Sequence, residues 1–201
     1  MKKCVLAILL GSVLVGGAFA QAGSSYGGNA GKKPALATES LDFFVNFFSE
    51  KMNGKSYSEL AFGVNNNYFR FAQNAIIGPY YNLAIGVLSE RKKEGSKVDI
   101  EYGAEFDFIF GPGFRIPISE QMRVTAGLGV HTSSNFYDFR DVIVGLGVGG
   151  TIAYNVSISE DVMFNIGANV AYDFVGYDID RGSLNNYSAV EIKPFIGLAF
   201  K

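Results

Sequence analysis

The chain has 201 residues and a formal net charge of −2, with 17 Lys and Arg against 19 Asp and Glu. This balance argues against a nucleic-acid partner, because there is no basic surplus to neutralise phosphates. The length predicts one domain. The 25 glycines and the 14% of aromatic residues favour a fold made of strands.

Residues 1–20 have the pattern of a secretory signal peptide. Lys2 and Lys3 give a basic start, residues 5–15 are apolar, and the small-x-small sequence AFA ends at Ala20. We expect cleavage after this alanine. The mature chain then has no cysteine, since Cys4 is lost, so that neither a disulfide nor a thiolate metal site is expected.

Two segments follow the predicted cleavage site. Residues 21–40 begin with QAGSSYGGNAGKK, and we interpret them as a flexible leader. Residues 41–52, LDFFVNFFSEKM, fit either a strand or a helix capped by Ser40. The strand aligns Leu41, Phe43, Val45 and Phe47, whereas the helix gathers Leu41, Phe44, Val45, Phe48 and Met52. We favour the strand because it completes an even number of strands.

The segment from Val98 to Phe110, VDIEYGAEFDFIF, alternates with a period of two. Its even positions are apolar, and its odd positions are polar or glycine with the exception of Ile109. This alternation predicts a strand with one apolar face. The even parity continues to Ile118 through Gly111-Pro112-Gly113, so we expect a bulge or bend at Pro112. Such a strand suits a soluble barrel or sandwich with its apolar side inward, or a membrane barrel with that side outward.

Further alternating segments bring the predicted number of strands to eight. Two of them follow an internal repeat, ISEQMRVTAGLGV at 118–130 and ISEDVMFNIGANV at 158–170. An even number of strands puts both termini at one end of a closed sheet. The two ISE turns then lie at that end, and longer loops lie at the other end, over residues 90–97, 131–140 and 175–186.

The residues on the face of each strand opposite its apolar face distinguish the two kinds of barrel. A soluble barrel would carry many Lys and Glu outside, but this row is mostly glycine, as at Gly127, Gly147 and Gly167. Small inward residues and an outward apolar row are typical of membrane barrels. The predicted lipid-facing residues are Ile100, Tyr102, Phe106, Phe108 and Phe110. The predicted lumen charge network is Glu101, Glu105, Asp107, Arg115, Arg123, Glu191 and Lys193.

In this pattern, and in its terminal strand IKPFIGLAFK, the chain resembles the small eight-stranded bacterial outer-membrane proteins of the OmpX, OmpW and OmpA-transmembrane type. The resemblance implies an all-β, antiparallel up-and-down transmembrane barrel over residues 41–201, in contact with outer-membrane lipid. It also implies that the barrel-assembly machinery reads a terminal aromatic. Here that residue is Phe200, and Lys201 after it departs from the family pattern.

For function, the resemblance implies a non-enzymatic barrel whose surface loops serve adhesion, envelope stabilisation or defence, through external ligands where these exist. The alternative, implied by the likeness to OmpW, is passage of small hydrophobic molecules, with a lateral opening beside Pro112. We predict no cofactor, no metal and no catalytic residue.

A third hypothesis is a lipid-modifying hydrolase built on His131, the one histidine of the chain. The sequence HTSSN resembles the His-x-Ser element of outer-membrane lipid A deacylases, in which an acid orients the histidine. Asp138 and Asp141 are near, but no glutamate follows at a suitable distance. We therefore interpret His131 as a dispensable polar residue where a strand ends and a loop begins.

Overall fold

The structure, a computed structural model, describes residues 36–72, 75–93, 96–98, 103–137 and 141–200. The predicted signal peptide, residues 1–20, and most of the predicted leader lie outside the described residues. In the part of the chain that the structure describes, no helix is long and apolar enough to cross a membrane.

Eight long antiparallel strands and two short ones form a single closed sheet. Along the chain each long strand pairs with the next, and the last long strand also pairs with the first. The predicted fold class, an eight-stranded up-and-down barrel, is confirmed. The strands are β1 Leu36–Met52, β2 Lys55–Phe71, β3 Ile77–Lys93, β4 Ser96–Val98, β5 Gly103–Pro117, β6 Met122–Tyr137, β7 Asp141–Ser157, β8 Val162–Asp178, β9 Gly182–Ser183 and β10 Ser188–Phe200.

The ambiguous segment 41–52 is part of β1 and is a strand, as predicted. Phe43 and Phe47 are exposed, whereas Phe44 and Asn46 are buried, which is the period of a strand. The strand begins at Leu36, so the predicted leader boundary at residue 40 falls inside it. The reason is tertiary, because residues 36–40 pair with the end of β2, from Leu36 opposite Phe71 to Ser40 opposite Asn67.

The predicted loops are mostly strand in the structure, which corrects the sequence interpretation. β6 continues through residues 131–137, β3 reaches Lys93, and β8 reaches Asp178. These segments look polar because their alternate side chains, such as Ser133 and Asn135, face a polar interior. The ISE turns are tight, as expected. In each, the amide of the isoleucine donates to the carbonyl four residues on, from Ile118 to Met122 and from Ile158 to Val162.

Pro112 does not mark a bulge, contrary to the sequence prediction. β5 continues through it, and Pro112 lies opposite Pro79 of β3 with no shift in register. Pairing with β6 skips Gly111 and Pro112 but resumes in the same register at Gly113. Proline has no N–H to donate, so a gap in the pairing on one side is enough to accommodate it.

Candidate functional site

The outer surface of the barrel carries an apolar band. On β1 it comprises Leu41, Phe43, Val45 and Phe47, with Glu39 on one side and Ser49 on the other. Stacked tyrosines, Tyr68 and Tyr81 at 5.1 Å, lie toward the end where the ISE turns are, which we call the turn end. Tyr172 and Phe174 lie on the other half of the barrel, toward the loop end. An apolar band between aromatic residues is the usual exterior of a membrane barrel.

The predicted lipid-facing residues of β5 lie on this outer face. Phe106 and Phe108 are half-buried, and Phe110 is 43% exposed. Their neighbours Glu105 and Asp107 are 1% and 3% exposed and point into the lumen. Ile100, Tyr102 and Glu101 lie outside the described residues.

Four residues of the predicted charge network meet at the middle of the lumen. The Lys193 Nζ lies 2.8 Å from Glu191 Oε1 and 3.6 Å from Glu105 Oε1, and it also forms an ion pair with Asp107. Asn46 Nδ2 donates to Glu105 Oε2 over 2.7 Å. All of these side chains are buried. In such surroundings each carboxylate requires a partner, because an isolated buried charge is costly.

His131 belongs to the same layer, which corrects its interpretation as a loop residue. It lies within β6, is fully buried, and its Nδ1 lies 2.7 Å from Asp173 Oδ1. Its Nε2 lies 3.6 Å from Asp107 Oδ1 and 3.8 Å from Glu191 Oε1. Asp173, 42 residues away along the chain, was not among the residues predicted from the sequence. His131 has the same odd parity as Gly127 and Gly129, which face inward, and this shared parity could have indicated that its side chain faces the lumen.

The histidine and serine do not form a nucleophile and its base. Ser133 Oγ donates to Asp173 Oδ2 over 2.7 Å, so the aspartate contacts both His131 and Ser133. Ser133 is 1% exposed and faces the lumen, away from the lipid side of the barrel. An activated serine needs its hydroxyl on the base itself, and this arrangement does not provide that contact.

A second charged cluster, missed by sequence reasoning, lies in the lumen toward the loop end. Arg91 Nη2 lies 2.6 Å from Glu50 Oε1, and its Nε lies 2.9 Å from Glu59 Oε1. The guanidinium also stacks over the rings of Tyr137 and Tyr57, at 3.8 and 4.4 Å from their centroids. The Tyr137 hydroxyl donates to Glu59 over 2.7 Å. One arginine thus serves two buried carboxylates.

Arg115 and Arg123, predicted as members of the lumen network, lie in a separate layer at the turn end. Arg123 Nη2 donates to Thr38 Oγ1 over 2.6 Å, and Arg115 Nη2 donates to the carbonyl of Ala75 over 3.0 Å. Among the described residues, neither arginine has a carboxylate within ion-pair distance.

Polar and aromatic side chains fill the lumen between these charged layers. Asp42 accepts hydrogen bonds from Ser40, Asn67 and Asn165, at 2.6, 3.0 and 2.7 Å. The Tyr80 hydroxyl forms a hydrogen bond with Thr151, and the Tyr80 ring stacks on Phe69. The space beside Thr38, Asn67 and Asn155 is too small to hold a water molecule. Gly127 admits the Tyr80 ring, since a Cβ there would lie 2.4 Å from it.

Comparison with known proteins gives similarity of fold without similarity of sequence. No family model and no curated protein matches the chain. The structure of Neisserial surface protein A matches with a TM-score of 0.54 and 8% identity, over 84% of this chain and 99% of that one. The outer membrane protein AlkL matches with a TM-score of 0.50 and 13% identity, over 87% and 93%.

A third match is the outer membrane protein OprG from Pseudomonas aeruginosa, with a TM-score of 0.49 and 13% identity over 83% of this chain and 95% of that one. The chain thus has the fold of the small eight-stranded outer-membrane barrels, the class that its sequence resembles.

Proposed function

We propose that the chain is a non-enzymatic integral protein of the bacterial outer membrane that stabilises the envelope by contacts around its loop end. The observation that carries the membrane assignment is the contrast between neighbouring residues of β1. Phe43 and Phe47 are 68% and 55% exposed, whereas Asp42 and Asn46 are fully buried. A water-soluble protein would have the reverse arrangement.

Among the predicted roles of adhesion, envelope stabilisation and defence, a lysine collar favours the second. We define the collar as Lys51, Lys92 and Lys97, which are exposed at the loop ends of β1, β3 and β4. Lys51 follows the apolar band on the same outward row, and Lys92 lies directly opposite Lys97. Like charges in facing positions repel, and in the described structure only Glu90 lies within ion-pair distance of this collar, at 3.3 Å from Lys92.

An anionic partner at the collar would relieve this repulsion. Lysines just beyond an apolar band are at the depth of lipid headgroups, where their stems lie along the apolar surface and the ammonium groups reach phosphates. We therefore propose phosphate-bearing lipids of the outer leaflet as the partners, with external ligands as a further use of the same end of the barrel.

The test compares thermal unfolding of the folded barrel in vesicles with and without phosphate-rich anionic lipid. We expect anionic lipid to raise the midpoint of the unmodified protein, and the combined change Lys51→Gln, Lys92→Gln and Lys97→Gln to remove most of that rise. The matched control replaces the same lysines with arginine and keeps the charge. An equal rise in the glutamine variant would contradict the proposed partner.

Two other predictions stay proposals. The terminal aromatic Phe200 is the last residue of β10, is 46% exposed and lies opposite Glu39 of β1, which suits recognition of its outer face by the barrel-assembly machinery. Passage of small hydrophobic molecules has no comparable support. On the β3 side the wall beside Pro112 is paired from Ile77 opposite Phe114 to Val87 opposite Ala104. On the β6 side the gap in pairing is confined to Gly111 and Pro112, and the adjoining lumen is filled.

A further inference from the structure

We propose that Asp107, His131 and Glu191 form a buried site for a divalent transition-metal ion of the Zn²⁺ type. The three residues come from β5, β6 and β10 and meet at the centre of the lumen. Each offers one ligand atom, and these atoms lie within 4.8 Å of one another. Imidazole nitrogen and carboxylate oxygen are both ordinary ligands of zinc.

The spacing of the three groups suits an ion between them. His131 Nε2 lies 3.6 Å from Asp107 Oδ1 and 3.8 Å from Glu191 Oε1. These separations are too long for hydrogen bonds. Two ligand atoms bound to zinc in tetrahedral geometry lie about 3.3 Å apart, given bonds of roughly 2.0–2.1 Å. A small inward movement of the side chains is enough to reach that geometry.

Two of the ligand atoms have no other partner in the described structure. His131 Nε2 and Asp107 Oδ1 make no hydrogen bond, although the two residues are 0% and 3% exposed. A buried polar atom without a partner carries its full desolvation cost. A metal ion at this point serves both atoms at once. Lys193 contacts Asp107 through the other oxygen, Oδ2, but its Nζ lies 2.8 Å from Glu191 Oε1, so the ammonium group has to move off that oxygen when Glu191 binds the ion.

The second nitrogen of the histidine is already held as in a metal site. His131 Nδ1 lies 2.7 Å from Asp173 Oδ1, and Asp173 Oδ2 is in turn held by Ser133. With the proton on Nδ1, the lone pair of Nε2 points at Asp107 and Glu191. A carboxylate behind the imidazole is the usual outer support of a metal-binding histidine, since it fixes the tautomer and the ring.

The charges of this layer also favour a cation. Three buried carboxylates, Glu105, Asp107 and Glu191, lie within ion-pair distance of one ammonium group, that of Lys193, and a fourth, Asp173, lies behind His131. The four carboxylates of this layer thus outnumber its two basic side chains, Lys193 and His131. A divalent ion would offset most of this excess at the point where the free ligand atoms converge.

The test uses the full mature chain, folded in detergent without a histidine tag, so that His131 is the only imidazole present. We expect one Zn²⁺ to be retained per barrel after dialysis and the ¹⁵N NMR signal of Nε2 to shift on binding. His131→Gln and Asp107→Asn should each weaken Zn²⁺ binding at least tenfold. Asp42→Asn is the matched control, because it neutralises a buried lumen carboxylate outside the site and should leave binding unchanged.

Retention of full zinc affinity by His131→Gln would overturn the site, as would loss of binding in Asp42→Asn to the same degree. Folding of each variant is checked by its heat-dependent migration on gels. Where a variant does not fold, the ¹⁵N NMR spectrum of the unmodified protein with and without Zn²⁺ tests the site instead. An imidazole protonated on both nitrogens and unchanged by added Zn²⁺ would show that His131 serves only as a counter-charge.

Discussion

Arg91 illustrates how single residues hold the lumen together. Its guanidinium pairs with Glu50 and Glu59 and lies over the rings of Tyr57 and Tyr137, so four inward side chains contact one group. Arginine suits this task because its planar, permanently charged group can bond in its plane and stack on both faces. In the sequence the two glutamates appear as ordinary surface residues, since their partner is brought close only by the closed sheet.

At this scale we predict that Arg91→Ala destabilises the barrel by about 3–5 kcal/mol, because it leaves two buried carboxylates without their cation. The measurement is the free energy of unfolding in urea, from lipid vesicles. Arg70→Ala, on the outer row of β2 and without an ion pair in the described structure, is the control and should change little. Adding Glu50→Gln and Glu59→Gln to Arg91→Ala should recover part of the loss. If Arg91→Ala were as stable as the control, this ion pair would have no structural role.

Alternate residues of each strand face opposite sides of the sheet, so every strand contributes both to the apolar outer surface and to the polar lumen. Along β1, outward Phe43 and Phe47 alternate with inward Phe44 and Asn46, and the same rule separates Phe106 from Asp107 on β5. The strands also extend beyond the apolar band. For this reason residues 131–137, which are polar on one face, continue β6 and do not form a loop.

We predict that spin labels on single cysteines along β1 report this alternation in lipid. Oxygen accessibility should be high at positions 43 and 47 and low at 44 and 46, with positions 106 and 108 on β5 as positive controls. The predicted removal of Cys4 leaves each variant with one labelling site. High accessibility shared by positions 44, 45 and 48 would instead indicate the helix that the sequence also allowed.

For the whole molecule, the filled lumen is the main consequence of the number of strands. Eight strands enclose a space that side chains can fill, whereas water-filled porins use about sixteen to eighteen. Here Tyr80, Phe69 and the Asp42 cluster fill the turn half, and the charged layers of Lys193 and Arg91 fill the rest. The side chains of these layers are buried, as expected for a filled lumen.

We therefore predict that the barrel forms no wide, permanent pore. In planar bilayers the intact protein should be silent or open rarely and briefly, while a sixteen-stranded porin inserted in the same way conducts. Arg115→Ala with Arg123→Ala should increase the rare openings, because Arg123 reaches Thr38 on the opposite wall and Arg115 lies over the Phe71 ring at the turn end of the lumen. Stable conductance steps of porin size from the unmodified chain would refute the filled lumen.

The sequence by itself determined which face of each strand is apolar, how many strands there are and therefore the kind of barrel. These properties are local, because a period of two can be read along one strand at a time. Parity also indicated that Glu105, Asp107, Glu191 and Lys193 face the lumen.

The tertiary structure decided at which depth in the lumen each inward side chain lies. Lys193 meets Asp107 across 86 residues of sequence, His131 meets Asp173, and Arg115 and Arg123 fall in a different layer from the carboxylates. Which inward residues share a layer depends on the stagger between neighbouring strands, and that stagger is set when β1 and β10 close the sheet. The pairings that fix it, such as Phe47 opposite Ile192, join residues that no local pattern connects.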